Sequence, residues 1–472
     1  MAEISSIIRN VSYFDRLQST PRGYDLAGSK TLFNWPVSLR CHTELVEVLS
    51  KGHNTSNLWK SISQISFACM VIFASISFLV NCSPQEAKLL PVNINHGLYL
   101  VDSTEVDSVM LKWIAIYADA PSYDHIDASG EGVTCVDDVG RFLEVLEFEI
   151  NQHQRKDLLP VAEGMVEYLL YLSREDGLWY NFIFEDGSIN REYRTSVASF
   201  QWWAVRGLRG LGAGYRIFAP LSEYNQYSER IENRFYASQP QLDSLFSSYP
   251  QMIVADDGSE RPGWNLSGAP DQSSELIIAL AGVHGLGPFN YKKEIQYLSE
   301  ALLGWQYLGE NEEYRGMYYC WQNTWHGWGN NQALALLQAY LILGEESYLT
   351  SVKIWADHFV PTLIEKDFPA EITLDSSGTW QIKNFSQIAY GIGSTYRGMK
   401  VLSAITASPE YAKSAEKVFA WFAGQNIANT QMYDPETGRC FDGINSMDAV
   451  NHNSGAESTI ECLLAIQSRG GW

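Results

Sequence analysis

Basic residues are scarce in this 472-residue sequence: 33 Lys and Arg face 55 Asp and Glu, for a formal net charge of −22. No run of Lys or Arg exceeds two residues, which argues against a nucleic-acid partner, because neutralising a phosphate backbone takes clustered cations. Cysteine is scarce too. Cys135, Cys320, Cys440 and Cys462 are all that remain beyond residue 82, with no CxxC pair among them. Neither a zinc site nor a disulfide framework is expected from such spacing, although a single bridge fits an oxidising compartment. Alternating apolar and polar runs, the mark of half-buried strands, are few. What dominates instead is the helical period of 3.6.

The N-terminal region reads as a leader. Residues 58–82, "LWKSISQISFACMVIFASISFLVNC", carry a lysine and then an apolar run that is short for a membrane span. Leu79-Val80-Asn81-Cys82 resembles a bacterial lipobox, which implies lipidation of Cys82, a membrane partner through that lipid, and export to the periplasmic or cell-surface face of the envelope. Residues 1–57 lie upstream of this signal, and "FDRLQSTPRGYDLAGSKTLFNWPVSLRCHTELVEVLS" resembles translated intergenic repeats that extend bacterial gene models. They are expected to be a disordered, mis-annotated extension. Residues 83–100 are then a linker and 101–472 the working domain.

Two kinds of helical segment alternate through that domain. Amphipathic ones with a charged face are expected at 107–119, 161–173, 223–236, 291–305, 347–359 and 409–424. Between them lie segments that are nearly uncharged and apolar all round, as helices buried on every side must be, at 136–150, 196–212, 271–287, 329–344, 386–406 and 454–467. The second kind recurs roughly every 55 to 75 residues, longer than the unit of most open solenoids. Six outer and six inner helices define an all-α (α/α)6 toroid.

In a toroid the inner helices run parallel, so the loops entering their N-termini share one mouth. The first entry brings Asp137, Asp138 and Arg141; the second, Arg194 and Trp202; the third, Trp264, Asp271 and Glu275. The fourth, "YYCWQNTWHGWGNNQ", brings Trp325, His326, Trp328 and Asn331; the fifth, Gln387 and Tyr390; the sixth, Asp442, His452, Asn453 and Glu457. Aromatic faces stack on the C–H faces of sugar rings while amides, carboxylates and guanidinium groups bond hydroxyls, so this mixture points to a carbohydrate. Carboxylates beside such a groove point to acid–base cleavage. Asp137, Glu275, Asp442 and Glu457 are the catalytic candidates and the remaining entry residues the substrate-binding ones. Adjacent side chains on a helix diverge by about 100°. Only one of Asp137 and Asp138 can therefore face the mouth well; the other steadies the helix start or holds Arg141.

The toroid with an acid at an inner helix start resembles the (α/α)6 glycosidases, in particular the unsaturated glucuronyl and rhamnogalacturonyl hydrolases. Cys135-Val136-Asp137 occupies their aromatic-x-Asp motif, with cysteine where tryptophan is usual. The resemblance implies Asp137 as general acid/base, a saccharide substrate and glycoside hydrolysis. Two other chemistries on this fold stay open. A polysaccharide lyase would use Tyr390, His326, Asn331 and Arg194, and a sugar epimerase would pair His326 with His452. A non-catalytic glycan-binding lipoprotein is the third reading. No cofactor is expected, and no metal, since no His, Cys and carboxylate set shows ligand spacing; oxygen ligands in "DPETG" (434–438) offer calcium a weak alternative.

Overall fold

The computed structural model describes residues 92–375 and 377–469; the expectations for residues 1–57, for the signal and for Cys82 fall outside them. A short helix, α1 (Asn95–Tyr99), precedes the expected boundary at 101 and packs on the last helix of the chain. His96 anchors it, with Nε2 2.8 Å from the Ser454 carbonyl oxygen.

Each apolar segment forms a helix: α2 (Val136–Gln152), α4 (Trp202–Phe218), α6 (Pro270–Val283), α8 (Gln332–Leu343), α10 (Ala389–Thr406) and α12 (Ala456–Arg469). Between them run the outer helices α3 (Leu159–Leu172), α5 (Asn225–Ala237), α7 (Lys292–Leu303), α9 (Glu346–Ile354, extended by 355–365) and α11 (Pro409–Phe419). Each inner helix packs on the next, and α12 returns to α2, closing the ring. The fold is an (α/α)6 toroid. Its core is the apolar shell between the layers, from Leu143 and Leu169 round to Phe419 and Leu463, all fully buried.

One expected outer helix is absent among the described residues. Residues 107–119 lie in extended structure: β1 (Val101–Val106) and β2 (Val109–Ile114) form an antiparallel hairpin against α3. Asp107 and Ser108 both take positive φ (49° and 66°), as a two-residue type I′ turn requires. The apolar residues 109–114 satisfy a helical period and a strand equally well, and the turn decides. Trp113 then reaches across the hairpin, donating from Nε1 to Thr104 Oγ1 at 3.2 Å.

The contact between α2 and α4 sets the geometry of the mouth. A Cβ on Gly140 would sit 2.4 Å from the Arg206 carbonyl oxygen, and one on Gly210 2.4 Å from Gly140 Cα, so the two backbones touch. That approach brings Arg206 beside Asp137. Gly140→Ala is expected to cost about 1–3 kcal/mol as the helices are forced apart. Urea unfolding checks it, with Gly327→Ala, where φ is not positive and a Cβ meets nothing nearer than 3.6 Å, as the control for a glycine with room for a methyl group.

Candidate active site

The first turn of α2 divides its two acids. Asp138 turns inward to Arg141, accepting from Nη2 at 2.7 Å, and also takes the Cys135 thiol at 3.2 Å. Arg141 continues to Glu461 Oε1 at 2.9 Å and reaches Glu457 Oε2 at 3.4 Å. Asp137 points instead into a cavity of about 310 Å³, lined also by Tyr117, Arg206, Tyr390, Asp442 and Glu457. Its Oδ1 has no hydrogen-bond partner; the nearest cation is Arg206 Nη1, 3.6 Å away.

Behind the cavity lies a charged lattice threaded through helices that are otherwise apolar. Glu275 accepts from Arg209 Nη1 and Asn331 Nδ2, both at 2.7 Å, and from the Tyr390 hydroxyl at 3.0 Å. Arg206 hydrogen-bonds the same hydroxyl, while Arg209 is forked onto Glu144 at 2.6 and 2.5 Å. Glu461 also takes Arg397 Nη2 at 3.0 Å. The guanidinium groups of Arg141 and Arg206 both lie over the Tyr390 ring, 5.2 and 5.1 Å from its centre.

Six carboxylates (Asp137, Asp138, Glu144, Glu275, Glu457, Glu461) thus share four cations (Arg141, Arg206, Arg209, Arg397). The two whose nearest cation is farthest, at 3.4 Å for Glu457 and 3.6 Å for Asp137, both line the cavity. Burial raises the pKa of Asp137 against the pull of Arg206 and Arg141. Glu457 keeps 46% of its side-chain surface open, yet the recess strips enough water from it to raise its pKa as well, against Arg141. Glu275 behaves oppositely: it is fully buried, but Arg209 and Arg206 overcome the desolvation and hold it well below the usual carboxylate range.

Asp442 lines the cavity but is committed to local structure. Its Oδ1 accepts from the Gly455 N–H at 3.0 Å and the Ser458 hydroxyl at 2.6 Å, fastening the sixth loop to the start of α12. Tyr390 is fully buried, and its pKa is pushed well up by burial, so its hydroxyl stays protonated.

A second cluster surrounds Trp328. Its indole is 48% exposed, stacks on His326 at 3.6 Å and faces Trp202 at 6.2 Å. Trp202 in turn covers the Arg206 guanidinium at 4.6 Å, linking this platform to the charged lattice. A smaller cavity of about 140 Å³ adjoins it, lined by Trp325, Trp328, Phe368, Lys383 and Gln387 among others. His326 Nδ1 bonds the Trp328 carbonyl oxygen and Nε2 lies 3.3 Å from Asp271 Oδ2. Burial opposes charge on this ring, but Cys320 and Asp271 outweigh it and push the pKa up to about 10.

The other expected residues serve elsewhere. Trp264 is a core residue whose Nε1 donates to the Tyr297 carbonyl at 2.8 Å. Gln387 is held by the Asp367 carbonyl at 2.5 Å and Trp421 Nε1 at 3.1 Å, and Asn453 ties its loop to Asp119 at 2.6 Å. Arg194 is exposed on the second loop, and His452 is exposed with its ring edge-on to Phe441. Arg206, Arg209, Glu144 and Glu461 were not anticipated. Their signal was present, since a charge inside an all-round apolar helix must find a buried partner.

No protein-family model matches this chain, and no curated protein matches it. Among solved structures it is similar to cellobiose 2-epimerase from Bacillus thermoamylovorans, with TM-score 0.56 and 10% identity over 80% of this chain and 96% of that one. The cellobiose 2-epimerase of Spirochaeta thermophila gives 0.53 and 12% over 81% and 94%. A family 76 glycoside hydrolase from a bovine Bacteroides thetaiotaomicron strain gives 0.48 and 12% over 79% and 76%. The likeness to the two epimerase structures establishes the fold class, the (α/α)6 toroid.

Proposed function

We propose that the protein is a glycoside hydrolase acting on a neutral oligo- or polysaccharide, with Asp137 and Glu457 as its acid–base pair. The observation that carries this reading is that the two carboxylates held most loosely by the lattice, Asp137 from the first inner helix with Arg206 3.6 Å away and Glu457 from the last with Arg141 3.4 Å away, line the same cavity. Asp137 has 20% of its side chain exposed and Glu457 46%, so Asp137 is the more strongly desolvated and the better proton donor. In the reaction, the Asp137 carboxyl protonates the leaving glycosidic oxygen. Glu457, ionised beside Arg141, takes the proton of the attacking water or attacks the anomeric carbon itself. Trp202 and Trp328 offer stacking faces next to the cavity.

The histidine-pair epimerase is less well supported, because no histidine lines the cavity and His326 is engaged at both ring nitrogens. A lyase needs a basic tyrosine, and Tyr390 is held protonated.

The test is a screen of neutral glycans and aryl glycosides for new reducing ends. Glu457→Gln is expected to lower kcat/KM by about 10²–10⁴-fold. An unsaturated product absorbing in the near ultraviolet, an epimerised sugar with the linkage intact, or binding without turnover would each sink the reading. The pH profile follows from the two pKa values. Turnover rises as Glu457 loses its proton and falls as Asp137 loses its own, and both steps lie above the usual carboxylate range because burial raises both. The optimum is therefore shifted up from that of two ordinary carboxyls, and pH–rate curves of kcat/KM check it.

Export and a lipid anchor at Cys82 complete the proposal, resting on the leader sequence. Fatty-acid labelling that survives Cys82→Ser would remove the anchor.

A further inference from the structure

Three electron-pair donors meet beside the Trp328 platform: Asp271 in the first turn of α6, Cys320 ahead of β3 (Thr324–His326), and His326 at the end of that strand. All three are buried, and their ligand atoms lie within 4.8 Å of one another, the one such group among the described residues. The carbonyl of Trp328 can only accept, so His326 Nδ1 carries a hydrogen there and Nε2 is the nitrogen turned toward Asp271 Oδ2. Nε2 and the carboxylate oxygen lie 3.3 Å apart, a gap that either a proton or a metal ion spans. The remaining Asp271 oxygen is engaged by the Gln272 N–H at 2.6 Å, and Cys320 Sγ accepts from Gln332 Nε2 at 3.5 Å while its thiol donates to the His326 carbonyl at 3.7 Å. A positive charge belongs between them.

We propose that this cluster binds a divalent transition-metal ion of the zinc type through Asp271 Oδ2, Cys320 Sγ and His326 Nε2. Tetrahedral coordination with metal–nitrogen and metal–oxygen bonds of about 2.0–2.1 Å puts those two ligand atoms about 3.3–3.4 Å apart, the separation observed here. Cys320 Sγ and His326 Nε2 each yield a proton to bulk water on binding, and the dication with one thiolate, one carboxylate and a neutral imidazole leaves the buried site neutral overall. A carbonyl fixing the far nitrogen of the histidine is the usual outer support of such a ligand. The ion joins the fourth entry loop to the start of α6 and immobilises the ring on which Trp328 stacks. None of this depends on the hydrolase reading.

The test uses the full chain, stripped with a chelator and reconstituted with cobalt(II). One equivalent is expected to survive gel filtration, with a thiolate-to-cobalt charge-transfer band and the intense visible bands of a four-coordinate ion. Cys320→Ser should lose the charge-transfer band and His326→Gln the retained ion, while Cys462→Ser keeps both. X-ray absorption on the zinc-loaded parent, which needs no variant, should show one sulfur and otherwise nitrogen or oxygen ligands. No retained equivalent, or an ion without sulfur ligation, overturns the proposal and leaves a proton bridging His326 and Asp271.

Discussion

Asp137→Asn lowers kcat/KM on an unactivated glycoside by about 10²–10⁴-fold and at the same time makes the protein more stable at neutral pH. The first effect is loss of the proton donor. A dinitrophenyl glycoside, whose leaving group needs no proton, should recover most of the rate in this variant and little in Glu457→Gln. The second effect follows from the raised pKa, since the fold prefers the protonated carboxyl. That contribution is fully present below the unfolded value near 3.9 and is lost as pH rises through the folded one. Ionised Asp137 therefore costs stability at pH 7. The amide removes that cost, and Tm is expected to rise by about 1–3 °C at pH 7, with the gain vanishing toward the unfolded pKa. Scanning calorimetry at two pH values reads both. A variant that keeps its turnover, or loses it while losing stability, assigns Asp137 to the scaffold.

The opposite behaviour is expected of Glu275. It joins Arg209, Arg206, Asn331 and Tyr390 at the centre of the ring and exposes no surface. Glu275→Ala leaves buried guanidinium groups short of an acceptor and should cost about 3–5 kcal/mol. Because its folded pKa is depressed, the stabilisation it provides is present above the unfolded carboxylate value and is lost as pH falls through the folded one. The destabilisation of the variant, read from denaturant midpoints, should shrink accordingly in acid. Glu275→Gln keeps an oxygen for Asn331 and Tyr390 and should cost less. If Glu275→Ala folds with parental stability yet has no activity, Glu275 belongs to the chemistry, as the sequence alone had placed it.

The six inner helices were legible because a segment apolar on every side has only the middle of the ring to occupy. The hairpin at 101–114 was not, because a short apolar run fits two periods and only the Asp107-Ser108 turn separates them. Asp137 was legible as an acid at an inner-helix start, and Glu457 as one of several candidate partners. What the linear chain did not reveal is how carboxylates are sorted by their cations. Glu275 and Asp442 look like Glu457 in sequence, but Arg209 neutralises the first and Ser458 with Gly455 fastens the second. Asp271, Cys320 and His326 escaped a spacing rule for a related reason: the packing of the fourth entry loop against the start of α6, not a local motif, brings Asp271 to the other two.

The return of α12 onto α2 also has a temporal side. Arg141 and Glu457 meet across 316 residues. At a synthesis rate of about 5–20 residues per second, a nascent chain holds Asp137, the proposed proton donor, for about 15–60 seconds before Glu457 exists. Until the last inner helix docks, there is no cavity and no pair. Catalytic competence is therefore a reporter of completed folding: an enzyme of this design is silent while its ring is open, and the first turnover certifies that the two ends of the domain have met.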